Sequence, residues 1–275
     1  MPEMKIPKIF HQIWLGDRPM HPLMAAWRRR LIDLHPDWRF CFWREGRRPD
    51  EKAPVTLGSQ TLTCYHAEIV SSWPELLARS CHQAQRANIW RYEIVARFGG
   101  VYVDTDIEPL RPLDDLLGGL EAFAVRRAPP QRIPGPWEHA VPPRTFRSPW
   151  GHVLNLPALQ SPRPAPPSSP PVYENAMFGA APGHPWTAEL LANLHTCDPA
   201  ESLSMGVDYL TPATLRHPEV AVLPEGAVLF QAPADWAAAK REKKVPEAVY
   251  RGGGPELRAV HHWSSLWYPS GFAPI

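Results

Sequence analysis

The stretch Arg86-Ala-Asn-Ile-Trp-Arg-Tyr-Glu-Ile-Val-Ala-Arg-Phe-Gly-Gly-Val-Tyr-Val-Asp-Thr-Asp106 decides the reading of this chain. Ala87, Trp90, Ile94 and Phe98 recur at steps of three and four, which lays them along one buried stripe of a helix. Asn88, Arg91 and Val95 form the adjoining stripe, and the periodicity predicts a helix over 82–98. Gly99-Gly100 follows, a pair able to take positive φ and end the helix. Val101-Tyr102-Val103 then reads as a short strand that breaks off at Asp104-Thr105-Asp106. Helix, glycine pair, buried strand and polar turn make half of an α/β unit. It sets two carboxylates at the C-terminal end of a strand, the edge where open α/β sheets hold ligands.

Two carboxylates about 4 Å apart repel by roughly 4 kcal/mol at an effective dielectric near 20, so a fold keeps them together only with compensating positive charge. No Cys or His flanks the pair, and oxygen ligands alone point to a hard cation such as Mg²⁺ or Mn²⁺. Mg²⁺ takes one or two protein carboxylates and fills its shell from substrate phosphates. The pair therefore predicts a metal bridging protein and diphosphate, stabilising charge as the diphosphate leaves. A bare Asp-x-Asp is as often a solvated turn; the capped helix and apolar strand directly before it favour the functional reading.

Outward from this block, strand and helix signals alternate. Residues 7–14 read as a strand followed by a Gly16-Asp17 turn, 22–34 as a helix, 38–43 as a strand, and a helix falls within 65–78. Further on, 121–125, 220–223 and 227–230 read as strands and 186–194 as a helix, while Asp208 sits in a segment that reads as a loop. Glu108, just past the acid pair, reads as a surface residue. Fourteen of the 35 prolines fall in 126–171, which excludes a regular helix or a central strand there and predicts a long irregular excursion. Its position after the acid pair makes it a candidate acceptor-side lid.

Composition bounds the rest. The chain has 275 residues, 44% of them hydrophobic, with 12 Trp, and so reads as a folded globular protein. Lys+Arg 29 against Asp+Glu 28 argues against a nucleic-acid coat. The longest apolar run, Leu23 to Trp27, is far short of the roughly 20 residues a membrane span needs. No apolar leader follows Met1, and Cys41, Cys64, Cys81 and Cys197 show no metal or disulfide spacing. Reduced thiols and a cytoplasmic location are the expectation.

The 86–106 block resembles the sugar-binding region of DXD-containing glycosyltransferases of the Och1 and capsular-polysaccharide type, related to the glucosyltransferase domains of clostridial toxins. Residues 7–16, residues 175–185 with Gly183-His184-Pro185, and His261-His262-Trp263 through Trp267 resemble that family's opening strand, middle motif and C-terminal motif. The resemblance implies an α/β GT-A fold, a Rossmann-like sheet in a single domain. Residues 1–125 would be the nucleotide-sugar half, 126–171 the Pro-rich insertion and 172–275 the acceptor-side half. It also implies a metal-dependent, retaining transfer of a sugar from a UDP- or GDP-sugar to an acceptor, whether saccharide, peptide or small molecule.

By the same resemblance Asp104, Asp106 and Arg91 would be catalytic. Ile13, Trp14, Asn88, Arg91, Asp104, Thr105, Asn175, Ser265 and Trp267 would line the donor. Mn²⁺ or Mg²⁺ would sit on Asp104 and Asp106, closed by His261 or His262. Adjacent strand residues face opposite ways, so at most one of the two histidines serves, and His262 is the expected one. Two departures stand out. Asn88 takes the place of the family's usual Asp, and Leu266 stands before Trp267 where the family tends to have Ser. The first leaves room for a catalytically degenerate nucleotide-sugar-binding protein. A HAD-type phosphatase also places Asp-x-Asp after an apolar strand, but its usual Thr or Val two residues further on is Glu108 here.

Overall fold

The computed structural model describes residues 3–15, 20–44, 52–57, 60–67, 71–80, 83–127, 145–147, 153–155, 171–198, 204–224, 226–230 and 256–262. In chain order the elements are β1 (Ile9–Ile13), α1 (Pro22–Leu34), β2 (Arg39–Trp43), β3 (Lys52–Leu57), β4 (Gln60–Ala67), α2 (Pro74–Arg79) and α3 (Gln83–Phe98). There follow β5 (Gly100–Val103), β6 (Ile107–Pro109), α4 (Asp114–Leu117), β7 (Ala122–Arg126), β8 (Thr145–Arg147), β9 (Val153–Asn155) and β10 (Tyr173–Ala180). Last come α5 (Pro185–Asn193), α6 (Val207–Arg216), β11 (Ala221–Val222), β12 (Val228–Phe230) and β13 (Ala259–His261). The chain divides into two compact units, residues 1–127 with 171–275, and residues 128–170. In the second, β8 and β9 pair antiparallel, so the Pro-rich stretch is not irregular throughout.

The first unit is built on an eight-stranded mixed sheet in the order β11-β7-β10-β5-β1-β2-β4-β3. Only β3 and β10 run against the other six strands. From β1 the chain crosses through α1 to β2 on one side, whereas β5 joins β1 on the other. The ends of β1 and β5 thus flank the point where strand order reverses, which opens a crevice beyond the carboxyl ends. The α/β class expected from the alternating signals is what forms.

Local chemistry fixes the elements that frame this crevice. His21 caps α1 by accepting the Leu23 N–H on its imidazole, and Pro22 takes the first helical position, where no N–H is needed. Helix α1 buries Met24, Trp27, Leu31 and Ile32. Helix α3 ends where Gly99 and Gly100 take φ of 61° and 89°. A Cβ on Gly100 would stand 2.6 Å from the Ile9 carbonyl oxygen, so both the positive φ and the close approach of β5 to β1 require glycine. One face of the sheet packs Tyr102 and Phe178 with Ile89, Tyr92, Trp186 and Leu210 of α3, α5 and α6. The other packs Phe10, Val101, Val103 and Phe123 with Leu31, Ile32 and Leu117 of α1 and α4.

Several expectations give way. The helix foreseen within 65–78 begins only at Pro74, because β3 and β4 form an antiparallel pair before it. Gly58-Ser59, a two-residue connection between runs rich in β-formers, is the signal for it. The loop-like segment around Asp208 is the first turn of α6, which carries Pro212 inside. Phe98 closes the predicted apolar stripe yet is 46% exposed, stacking on Trp43 at the rim.

Candidate active site

Asp104 lies two residues beyond Tyr102, so both side chains leave the β5 line on the α3 face. The Tyr102 hydroxyl donates to Asp104 Oδ1 at 2.6 Å. From α3, Arg91 places Nη2 3.2 Å from Asp104 Oδ1, with its guanidinium 4.6 Å above the Tyr102 ring. Arg91 Nη1 also donates to the Asn175 carbonyl at 2.6 Å. Tied to a helix, a ring, a carboxylate and strand β10, this buried guanidinium has one available pose.

The Asp104 N–H donates to the Ala176 carbonyl at 2.7 Å, and the Asp104 carbonyl accepts the Ile107 N–H at 3.2 Å, closing a four-residue turn. That turn launches β6, and β6 pairs antiparallel with β13 in a register that sets His261 opposite Ile107. His261 Nε2 consequently lies 3.3 Å from Asp106 Oδ1. One ligand atom from each of Asp104, Asp106 and His261 falls within 4.8 Å of the others.

Burial raises the Asp104 pKa; Arg91 opposes the rise, Asp106 adds to it, and the net shift is upward. Burial pulls the His261 pKa down, but Asp106, Glu174 and Asp104 together raise it and the net shift is upward too. Two carboxylate oxygens and one imidazole nitrogen converging at this spacing fit a divalent cation. Of the two histidines expected to close the set, the β6–β13 register brings in His261.

The preference for His262 is corrected. Its Nε2–H donates to Glu108 at 2.9 Å and its ring stacks on Trp27 at 4.4 Å, on the face away from Asp106. Its backbone N–H donates to the Asp106 carbonyl at 3.1 Å. Glu108, expected at the surface, is half-buried as that partner.

Asn88, one turn before Arg91, is buried and accepts the Asn175 amide on Oδ1 at 3.0 Å. Asn175 belongs to β10, not to a turn. Ile13 is buried in the core at the end of β1, below the surface of the crevice. Trp14 is half-buried beside it, its N–H donating to the Trp43 carbonyl at 3.0 Å. Thr105 is half-buried at the tip of the acid turn. Asp208 is exposed on α6, away from any capping of Thr211, whose hydroxyl instead accepts the Tyr173 N–H at 3.0 Å. Ser265 and Trp267 lie outside the described residues.

Sequence reasoning passed over three residues. Tyr102 could have been found from its i, i+2 relation to Asp104. His11 is enclosed between the Gly99 carbonyl, 2.8 Å from Nε2, and the Trp43 indole N–H, 3.1 Å from Nδ1. Burial lowers its pKa to about 4, so it stays neutral and braces the glycine turn. Glu174 is buried on β10, pairs with Arg127 and lies near enough to His261 to favour its charged form. No local pattern marks either residue.

Comparison with known proteins gives the following similarities. Residues 24–123 match the family model described as glycosyltransferase sugar-binding region containing DXD motif. Inositol phosphoceramide mannosyltransferase 3 of Schizosaccharomyces pombe is 33% identical over 115 residues, 41% of this chain and 27% of that protein. Mannosyl phosphorylinositol ceramide synthase SUR1 of Saccharomyces cerevisiae is 32% identical over 128 residues, 45% and 28% of the two chains. The matched segments thus span under a third of those relatives' own length. Among solved structures, PaToxG glycosyltransferase aligns over 94% of this chain and 82% of its own, at 14% identity and a TM-score of 0.47. The galactosyltransferase LgtC in complex with donor and acceptor sugar analogs aligns over 95% and 90%, at 11% identity and a TM-score of 0.43. Among the described residues no helix is long and apolar enough to cross a membrane. Over residues 24–123 the chain is similar to the DXD-containing sugar-binding region of glycosyltransferases.

Proposed function

We propose that this chain is a GT-A glycosyltransferase that moves a sugar from a nucleoside diphosphate sugar to an acceptor nucleophile, with retention of configuration. The observation that carries the reading is the convergence of Asp104, Asp106 and His261 beside the buried Arg91. Asp104, Asp106 and His261 would hold Mn²⁺ or Mg²⁺, which supplies positive charge for the departing diphosphate. Arg91, held by the Ala87 and Asn175 carbonyls and by Asp104, has one Nη2 hydrogen left to offer a sugar or diphosphate oxygen. Tyr102 aims Asp104 by donating to Oδ1. Trp14, at the mouth of β1, borders the nucleobase. Among the described residues no side chain is placed as a nucleophile; in this reading the acceptor attacks on the face from which the diphosphate leaves, and the leaving diphosphate takes its proton.

The relatives' names speak of mannosyl transfer to a phosphoinositol ceramide. Their sugar and acceptor are candidates for this chain only to the extent that its own residues match, and Asn88, where the resembled family usually has Asp, bears on that match. Asn88 also favours a second reading, a binding protein that has lost turnover. The deciding assay is donor hydrolysis and transfer with UDP- and GDP-sugars in saturating Mn²⁺, comparing wild type with Asp106→Ala. A loss of about 100-fold or more in the variant supports the proposal. Equal rates refute it, and metal-dependent donor binding without turnover selects the second reading.

A further inference from the structure

We infer that Glu174 is a catalytic residue, whose carboxylate receives the proton of the attacking acceptor and passes it to the departing diphosphate. The inference rests on the glycosyl-transfer reading above and gives its proton step to a group of the chain. Glu174 is 3% exposed, yet it is not a satisfied core carboxylate. Its Oε1 accepts from Arg127 Nε, a single bond where arginine and carboxylate commonly make two. Among the described residues Oε2 has no hydrogen-bond partner, and it is not sealed from solvent. A buried carboxylate oxygen left without a donor is a place for a hydrogen that arrives with a ligand.

Strand topology sets this oxygen at the reacting edge. β10 runs antiparallel to both β5 and β7, so Glu174 near its start and Arg127 just past β7 stand at the sheet edge that carries Asp104. The register of β10 on β7 breaks between Glu174 and Phe178, and residues 175–177 bulge out of that ladder. Two carbonyls of the bulge serve the site. That of Asn175 accepts Arg91 Nη1 at 2.6 Å, and that of Ala176 accepts the Asp104 N–H at 2.7 Å. Glu174 is the last residue before the bulge, and the backbone around it is pinned. The Arg127 N–H donates to the Val172 carbonyl at 2.8 Å, and the Tyr173 N–H to the Thr211 hydroxyl at 3.0 Å. Asn175 turns its side chain to Asn88 on α3, so its neighbour Glu174 faces the other side of the sheet, where its charge favours the charged form of His261. It does not join the three side chains that converge as one set of cation ligands.

In the strand order β7-β10-β5-β1 the donor lies over β1 and β5, and Glu174 stands beyond Asp104 on the side left for the acceptor. A carboxylate repels phosphates and other carboxylates and receives a hydroxyl, so the attacking group is an acceptor hydroxyl. As its oxygen bonds to C1 of the sugar, the bond from C1 to the diphosphate oxygen breaks. The hydroxyl proton moves onto Oε2 and from there to the diphosphate, which restores the carboxylate. Arg127 holds Oε1 and so fixes where Oε2 stands.

The test uses UDP-glucose, UDP-galactose, UDP-N-acetylglucosamine and GDP-mannose, with water as the attacking hydroxyl. The kcat and KM for donor hydrolysis in Mn²⁺, the Mn²⁺ affinity with UDP or GDP present, and the thermal midpoint are read in wild type, Glu174→Gln and Glu174→Asp. In Glu174→Gln the Arg127 N–H takes the amide oxygen, and an amide nitrogen that only donates stands where Oε2 was. That variant should lower kcat about 100-fold or more, with donor KM and Mn²⁺ affinity at wild-type values. Glu174→Asp keeps the charge but draws it back by one methylene; it should lower kcat about tenfold or more, and it carries the test if Glu174→Gln fails to fold. Wild-type kcat in the folded variants, a loss confined to Mn²⁺ or donor binding, or a sugar found covalently on Glu174 by mass spectrometry overturns this inference alone. A wild-type protein that hydrolyses none of the donors overturns the glycosyl-transfer reading, and this inference with it.

Discussion

Acid should weaken the fold through His11. Its ring is enclosed, with Nε2–H on the Gly99 carbonyl and Nδ1 receiving the Trp43 indole N–H, so a second proton would have to displace the tryptophan. Burial holds its pKa at about 4 against an ordinary 6.5. As pH falls the unfolded chain takes up the proton first. The contribution of a neutral His11 is therefore whole above pH 6.5 and is lost between pH 6.5 and 4. The displacement corresponds to about 3 kcal/mol in full and about 2 kcal/mol by pH 5. His35 and His184, lowered by burial, act in the same direction. His217 acts in the opposite direction: burial lowers its pKa, but its bonds to Glu219 and Glu189 raise it further. A variant isolates His11 from these. His11→Leu leaves the Gly99 carbonyl and the Trp43 N–H unpaired and should cost about 2–5 kcal/mol at pH 7.5. Urea unfolding of both proteins from pH 7.5 to 5 should show that gap narrowing by about 2 kcal/mol. A gap independent of pH would refute the reasoning.

Two further outcomes are expected. Gly100→Ala places a Cβ against the Ile9 carbonyl at positive φ, and should lower stability in urea by about 2–4 kcal/mol; an unchanged midpoint would contradict the packing of β5 on β1. Arg91→Lys cannot keep both the Asp104 contact and the Asn175 carbonyl from one ammonium, and kcat/KM should fall about 100-fold. Wild-type kcat/KM in a folded Arg91→Lys protein would remove Arg91 from the machinery.

What the sequence makes legible is what is decided within a few residues. Helix α3, the glycine turn, β5 and the Asp104–Asp106 turn follow from periodicity and φ requirements inside one 21-residue block, and α1 follows from its own spacing. Long-range register is a different matter. Strand alternation says that only one of His261 and His262 faces the acids, but which one depends on how β13 pairs with β6, some 150 residues away. The Asn88–Asn175 contact depends likewise on β10 lying beside β5, and His11 on β1 meeting the helix end. Asp208 misled because Pro212 reads as a helix breaker, whereas the packing of Leu210, Ala213 and Thr214 carries α6 through it.

The central claim is that Asp104, Asp106 and His261 jointly hold a divalent cation. Calorimetric titration of Mn²⁺ into the protein with UDP or GDP present tests it directly, on wild type, Asp106→Asn and His261→Ala. The prediction is one ion per chain in wild type, with each substitution weakening the binding by about tenfold or more. Wild-type affinity retained in both variants, or no Mn²⁺ bound by the wild-type protein, would contradict it.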